Sequence, residues 1–214
     1  MKPGARGVSL VSLLVAMALS LICLVTALQA YRAVVLGSRG TGTAARVSGT
    51  ASALEIQLAR LLPAAGWGIG GGSATPGGTL NQHLVLLANA TLSGSNSLSG
   101  STQTLSATAH AGNALVWATA IDGSLACSAL ISRAAQGLQL LGPKPCSTAQ
   151  SALNSNWDEV VTLVPQGVFP VLGFTVGTAQ CWPYGGPLKR ASASVQLSGV
   201  RATLPAVCLP NIRG

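Results

Sequence analysis

Residues 8–31, VSLVSLLVAMALSLICLVTALQAY, decide how this chain is read, because no charged residue falls between Arg6 and Arg32. At about 1.5 Å of rise per residue, a helix of that length crosses a hydrocarbon core of about 30 Å. Lys2 and Arg6 stand on its short N-terminal side, and basic residues hold such an end in the cytoplasm. The expectation is a single-pass inner-membrane helix, with everything after Tyr31 on the periplasmic side. Three processing routes compete: a plain signal anchor, a secretory signal cut after Val25-Thr26-Ala27, and a short leader removed ahead of the helix. The apolar run exceeds an ordinary secretory h-region and has no break before Ala27. The leader MKPGARG, in contrast, is brief, basic and ends in Gly7 directly before the run.

Working outward, the composition fits one soluble domain beside an anchor. The chain has 214 residues, of which 49% are hydrophobic and only 7% charged. That is too apolar for a disordered polymer, which combines low hydrophobicity with high net charge. The net charge of +8 raises the question of nucleic acid. Beyond Arg6 the basic residues are scattered; only Lys189-Arg190 are adjacent, and no aromatics interleave with them. Specific nucleic-acid binding, which needs a clustered footprint, is not expected.

Past the span, Gly37, Gly40 and Gly42 predict a helix loosened near its middle, each costing about 1 kcal/mol against alanine. Helical spacing returns at Ala53-Leu54, Leu58, Leu61 and Leu62, with Glu55 and Arg60 on other faces, and Pro63 and Gly66 end it. The apolar stripe is expected to lie on a sheet. Strands are predicted at 83–88, 114–118, 125–131, 138–141, 160–164, 172–176 and 195–204, separated by breaker-rich 68–79, 93–101, 142–156 and 183–192. Strand runs without intervening helices imply an antiparallel sheet. The low-complexity stretch Thr91 to Thr108 reads as a surface loop or edge hairpin.

Chemistry is sparse. Cys127, Cys146, Cys181 and Cys208 have no CxxC spacing and read as two disulfides in an exported domain, while Cys23 lies within the apolar run. Pairing of sequence neighbours gives Cys127–Cys146 and Cys181–Cys208, one of three connectivities that four cysteines allow. No catalytic site is expected: His83 opens an apolar strand, His110 sits in a polar turn, and neither G-x-S-x-G nor a phosphate loop with its lysine is present. No metal or other cofactor is expected either, since only Asp158-Glu159 are adjacent acids and strand neighbours point to opposite faces. Trp117 reads as core. Trp182, next to Cys181, reads either as packing on a disulfide or as an exposed binding anchor.

The order Arg6-Gly7, Val8-Ser9-Leu10-Val11, Leu13-Leu14-Val15-Ala16 resembles the N-terminal signal of type IV pilins. That resemblance implies cleavage between Gly7 and Val8 by prepilin peptidase, N-methylation of Val8, and retention of the helix. At the fifth mature position pilins usually carry glutamate, whereas this chain has Ser12. Two readings follow: a minor subunit that tolerates serine, or a subunit with none above it. The run Ala53-Leu54-Glu55-Ile56-Gln57-Leu58-Ala59-Arg60, then Ala65-Gly66-Trp67-Gly68, is similar to the helix end of PilW-type minor pilins. The resemblance covers residues 1–70. It implies an α+β, pilin-like fold: leader 1–7, transmembrane and assembly helix 8–31, periplasmic arm 32–66 and β-rich head 67–214. The implied partners are other minor and major pilins, prepilin peptidase, the inner-membrane assembly platform and membrane lipid. The implied role is to help initiate a type IV pilus, at or near its tip. A minor pseudopilin of a type II secretion system shares this plan, and a secreted binding or adhesin domain is the remaining alternative.

Overall fold

No proline interrupts the chain between Pro3 and Pro63, and alanine, leucine and valine dominate that interval. The structure, a computed structural model, describes residues 10–70, 77–169, 171–182, 190–199 and 204–214. One helix, α1, runs from Leu10–Leu61 and ends where a 3-10 turn, Leu62–Ala64, takes Pro63 into its first positions. The expected loosening at Gly37, Gly40 and Gly42 is absent, for the helix continues through all three. A propensity deficit of about 1 kcal/mol per glycine is a weak prior, and helices propagate cooperatively from good formers on either side. The chain divides into two compact units, Met1–Arg46 and Val47–Gly214, so the last turns of α1 belong with the strands.

Eleven strands fill the described part of the second unit: β1 (Gly78–Thr79), β2 (Leu84–Leu92), β3 (Leu98–Gln103), β4 (His110–Gly112), β5 (Ala114–Ile121), β6 (Ser124–Arg133), β7 (Gly137–Pro145), β8 (Val160–Val164), β9 (Gly173–Cys181), β10 (Arg190–Ser198) and β11 (Val207–Arg213). They form two sheets where the sequence pointed to one. A six-stranded antiparallel sheet has the order β3-β2-β5-β6-β7-β8, and a five-stranded mixed sheet the order β1-β11-β10-β9-β4, in which β1 and β11 run parallel. The strand expected at 195–204 begins earlier and stops at Ser198, and β3, β7 and β10 each extend into a predicted breaker region.

Two cores explain why two sheets are needed. Leu84 and Leu86 of β2, Leu115 and Trp117 of β5, and Leu130 of β6 share one core with Phe174, Val176, Val195, Leu197 and Leu209 of the mixed sheet. The intervening residues Val85, Leu87, Ala114, Val116, Ala129 and Ile131 face the opposite way, into a second core closed by Ala149, Ala152 and Trp157. The six-stranded sheet is therefore buried on both faces, and its central strands read as unbroken apolar runs instead of alternating ones. Leu54 and Leu58 of α1 and Leu62 of the 3-10 turn that follows, spaced at i, i+4 and i+8, enter the first core. Ala53 stays exposed and Leu61 half-buried, so the docked stripe is narrower than the expected one.

Candidate functional site: the apolar helix and its docking joint

Within the first unit, the helical stretch Leu10–Leu36 is uncharged but for Arg32 and has a mean hydropathy of 2.6 over its apolar window. It is long and apolar enough to cross a membrane once; an N-terminal signal sequence has the same length and composition. Leucines and valines project all around it and stand exposed, from Leu10 at 75% to Val25 at 50%. Two of its hydroxyls turn back on the helix: Ser20 Oγ donates to the Met17 carbonyl at 2.8 Å and Thr26 Oγ1 to that of Cys23 at 2.9 Å. Such internal bonds remove the cost of carrying a polar side chain into an apolar medium. Ser12 is exposed in the second half-turn of a helix whose first turn carries no acid. Cys23 is exposed and is the one unpaired thiol among the described residues. Gly7 and Val8, the residues of the expected cleavage, lie outside the described residues.

In the second unit, α1 meets the sheets through Pro63 to Gly68. Ala65 is fully buried and leaves the 3-10 turn at φ −56°, ψ 128°, and Gly66 follows it in a left-handed turn at φ +76°. The Gly66 N–H donates to the Ala118 carbonyl at 2.8 Å, and the Ala120 N–H donates to the Trp67 carbonyl at 2.7 Å. This short segment thus extends the β5 ladder beyond the reach of β2. On the other side, Asn211 Nδ2 of β11 donates to the Pro63 carbonyl at 3.0 Å. The joint therefore ties α1 to one strand of each sheet. The Ala-Gly-Trp-Gly run has a physical meaning here: a buried small residue, then a backbone turn that no Cβ fits.

His83 abuts this joint. It is buried, its carbonyl accepts from the Ala118 N–H at 2.9 Å, and its Nδ1 accepts from the Thr79 N–H at 3.1 Å. Burial lowers its pKa below the ordinary 6.5. Between that lowered value and 6.5 the unfolded chain binds the extra proton and the folded chain does not, so stability rises with pH. The stabilisation is complete above about pH 6.5 and is lost as acidity increases below it. Denaturant midpoints measured from pH 7.5 to 5 are expected to fall on acidification, and His83→Gln is expected to flatten that fall. An unchanged acid slope in the variant contradicts the assignment to His83.

Both disulfides join sequence neighbours: Cys127 with Cys146, and Cys181 with Cys208, at Cα separations of 5.8 and 5.9 Å. The first links β6 to the start of the segment that covers the second core. In that segment Trp157 is 1% exposed, and Lys144 Nζ lies 4.6 Å from its ring centroid. Burial lowers the Lys144 pKa, with Asp158 acting in the opposite direction. Trp117 is core, whereas Trp182 is 60% exposed beside Cys181. His110 bonds to the hydroxyls of Ser106 and Thr108 at 3.0 and 3.2 Å. No cluster of three metal-ligating side chains occurs among the described residues, and Asp158 and Glu159 are exposed ahead of β8. Sequence reasoning missed Asn211 altogether, because β11 contains Pro210 and follows the last apolar run. Compared with family models, curated proteins and solved structures, the chain finds no match.

Proposed function

We propose that this chain is a minor pilin of a type IV pilus that helps to initiate assembly, with its helix in the inner membrane and its head in the periplasm before extraction. The observation that carries this reading is an apolar stretch, uncharged from Val8 to Tyr31 and helical from Leu10, that follows directly in sequence on a short basic leader ending in glycine. A helix apolar on every side suits lipid first and close packing with equivalent helices later, through its alanine and serine surfaces. Two disulfides support an oxidising compartment for the head. A minor pseudopilin of a secretion system fits the same features.

Mass spectrometry of the mature protein tests the proposal. The expected chain begins at Val8 with an N-methylated amine. A chain beginning between Leu28 and Tyr31, or one retaining Met1, refutes the pilin reading, the first in favour of a released secreted domain.

A further inference from the structure

We infer that His83 is a proton-operated clasp, which holds β1 against the end of α1 at neutral pH and lets it go in acid. The Nδ1 atom of His83 accepts the Thr79 N–H at 3.1 Å, so the neutral ring carries its proton on Nε2 and its one basic position is already in use. A second proton can enter only at Nδ1. There it sets one N–H against another and leaves the Thr79 N–H without its acceptor. Thr79 Oγ1 stands 3.1 Å from the same nitrogen and donates to Gln82 Oε1 at 3.2 Å. It can take the new ring donor, which does nothing for the backbone N–H. Burial lowers the His83 pKa, so the clasp is closed at neutrality.

The rest of the turn does not depend on the ring. The Ala118 N–H donates to the His83 carbonyl and the Ala149 N–H to the Gln82 carbonyl, each at 2.9 Å. Asn81 is tied to Leu105, donating from Nδ2 to its carbonyl at 2.9 Å and accepting its N–H on Oδ1 at 2.6 Å. What rests on the ring is β1, a terminal strand of two residues paired with Ile212 and Arg213 of β11. Gly78 is its tight fit: a Cβ there would lie 2.5 Å from the Asn211 carbonyl oxygen and 3.2 Å from Gly66 Cα. β1 therefore walls the joint where α1 ends, and its departure uncovers Gly66 and Asn211. No carboxylate offsets the added charge. β1, β2, β5, residues 63–68, 104–109 and 147–153 have no ionisable side chain, and β11 brings Arg213, the register partner of Thr79. His110 lies in β4, opposite Val176 of β9. The four acids stand elsewhere: Glu55 beside Phe174 and Leu204, Asp122 in the turn between β5 and β6, and Asp158 and Glu159 ahead of β8.

Hydrogen exchange of the detergent-solubilised full chain from pH 7.5 to 5, corrected for the intrinsic pH dependence of amide exchange, reads the clasp. The peptide containing Gly78 and Thr79 is expected to lose protection at least about tenfold more than peptides of β5 and β10. The midpoint of that loss is expected to coincide with the His83 ring titration followed by NMR. His83→Gln is expected to lack the acid-dependent step, and His110→Gln to keep it. No selective loss, an equal loss in all three strands, or a midpoint apart from that of the His83 ring overturns the inference. These three outcomes are read in the wild-type chain, so they decide even if His83→Gln does not fold. A selective step that survives in His83→Gln, or disappears in His110→Gln, overturns it as well.

Discussion

Gly66→Ala is expected to lower the thermal midpoint of the purified protein by roughly 6–12 °C. The left-handed φ of +76° costs an L-residue about 1–2 kcal/mol. The new Cβ would also lie 2.6 Å from the Asn211 carbonyl oxygen and 2.7 Å from Ile212 Cδ1. Relieving that overlap displaces β11 from the joint and adds about 1–3 kcal/mol. The sum of about 3 kcal/mol or more converts to the stated shift at about 2–4 °C per kcal/mol for a domain of this size. Gly123→Ala separates the two causes, because φ there is +80° with nothing within 4 Å of the added carbon. It is expected to lose only the backbone part. Equal losses at both positions would remove the steric argument and leave the joint as an ordinary turn.

The second large effect is removal of the Cys127–Cys146 bridge by alanine at both positions. Closing a loop of sequence separation 19 contributes about 3 kcal/mol through the unfolded chain. Removing Cys181–Cys208, with separation 27, costs a similar amount on the same basis. The folded states then differ. Cys146 tethers the segment carrying Ala149, Ala152 and Trp157 over the second core, and no other covalent link holds it. Limited proteolysis is therefore expected to cut within 147–156 in the first variant and not in the second. Cleavage there in both variants, or in neither, would show that the cover is held by packing alone.

Particular elements show what the amino-acid pattern carries and what it omits. LVLLA in β2 and ALVWA in β5 were legible as strands because both their faces are buried, which keeps the whole run apolar. β3 was legible only as the edge hairpin that the Thr91 to Thr108 stretch allowed beside a loop, because its residues are Ser, Gly and Thr and its strand character comes from pairing with β2 at the sheet edge. β11 was hidden by Pro210, and β1 is too short to leave a pattern. The second sheet stayed invisible for the same reason, since a single sequence shows runs and not their partners. At the candidate site, the apolar helix and the Pro63–Gly68 turn were plain from composition and spacing, and so was the stripe of Leu54, Leu58 and Leu62. The role of Asn211 was not, because its partner lies 148 residues away.

That separation has a consequence for synthesis. Pro63 leaves the ribosome 148 residues ahead of Asn211. Until β11 has been made, the end of α1 lacks half of its seat, and the first core lacks Leu209 and Ile212. Contacts this distant form only after the loop between them has been closed, so they fall late in folding. A nascent chain therefore elongates through the intervening residues with its head unlatched, and the synthesis of β11 is the event that permits the latch to close.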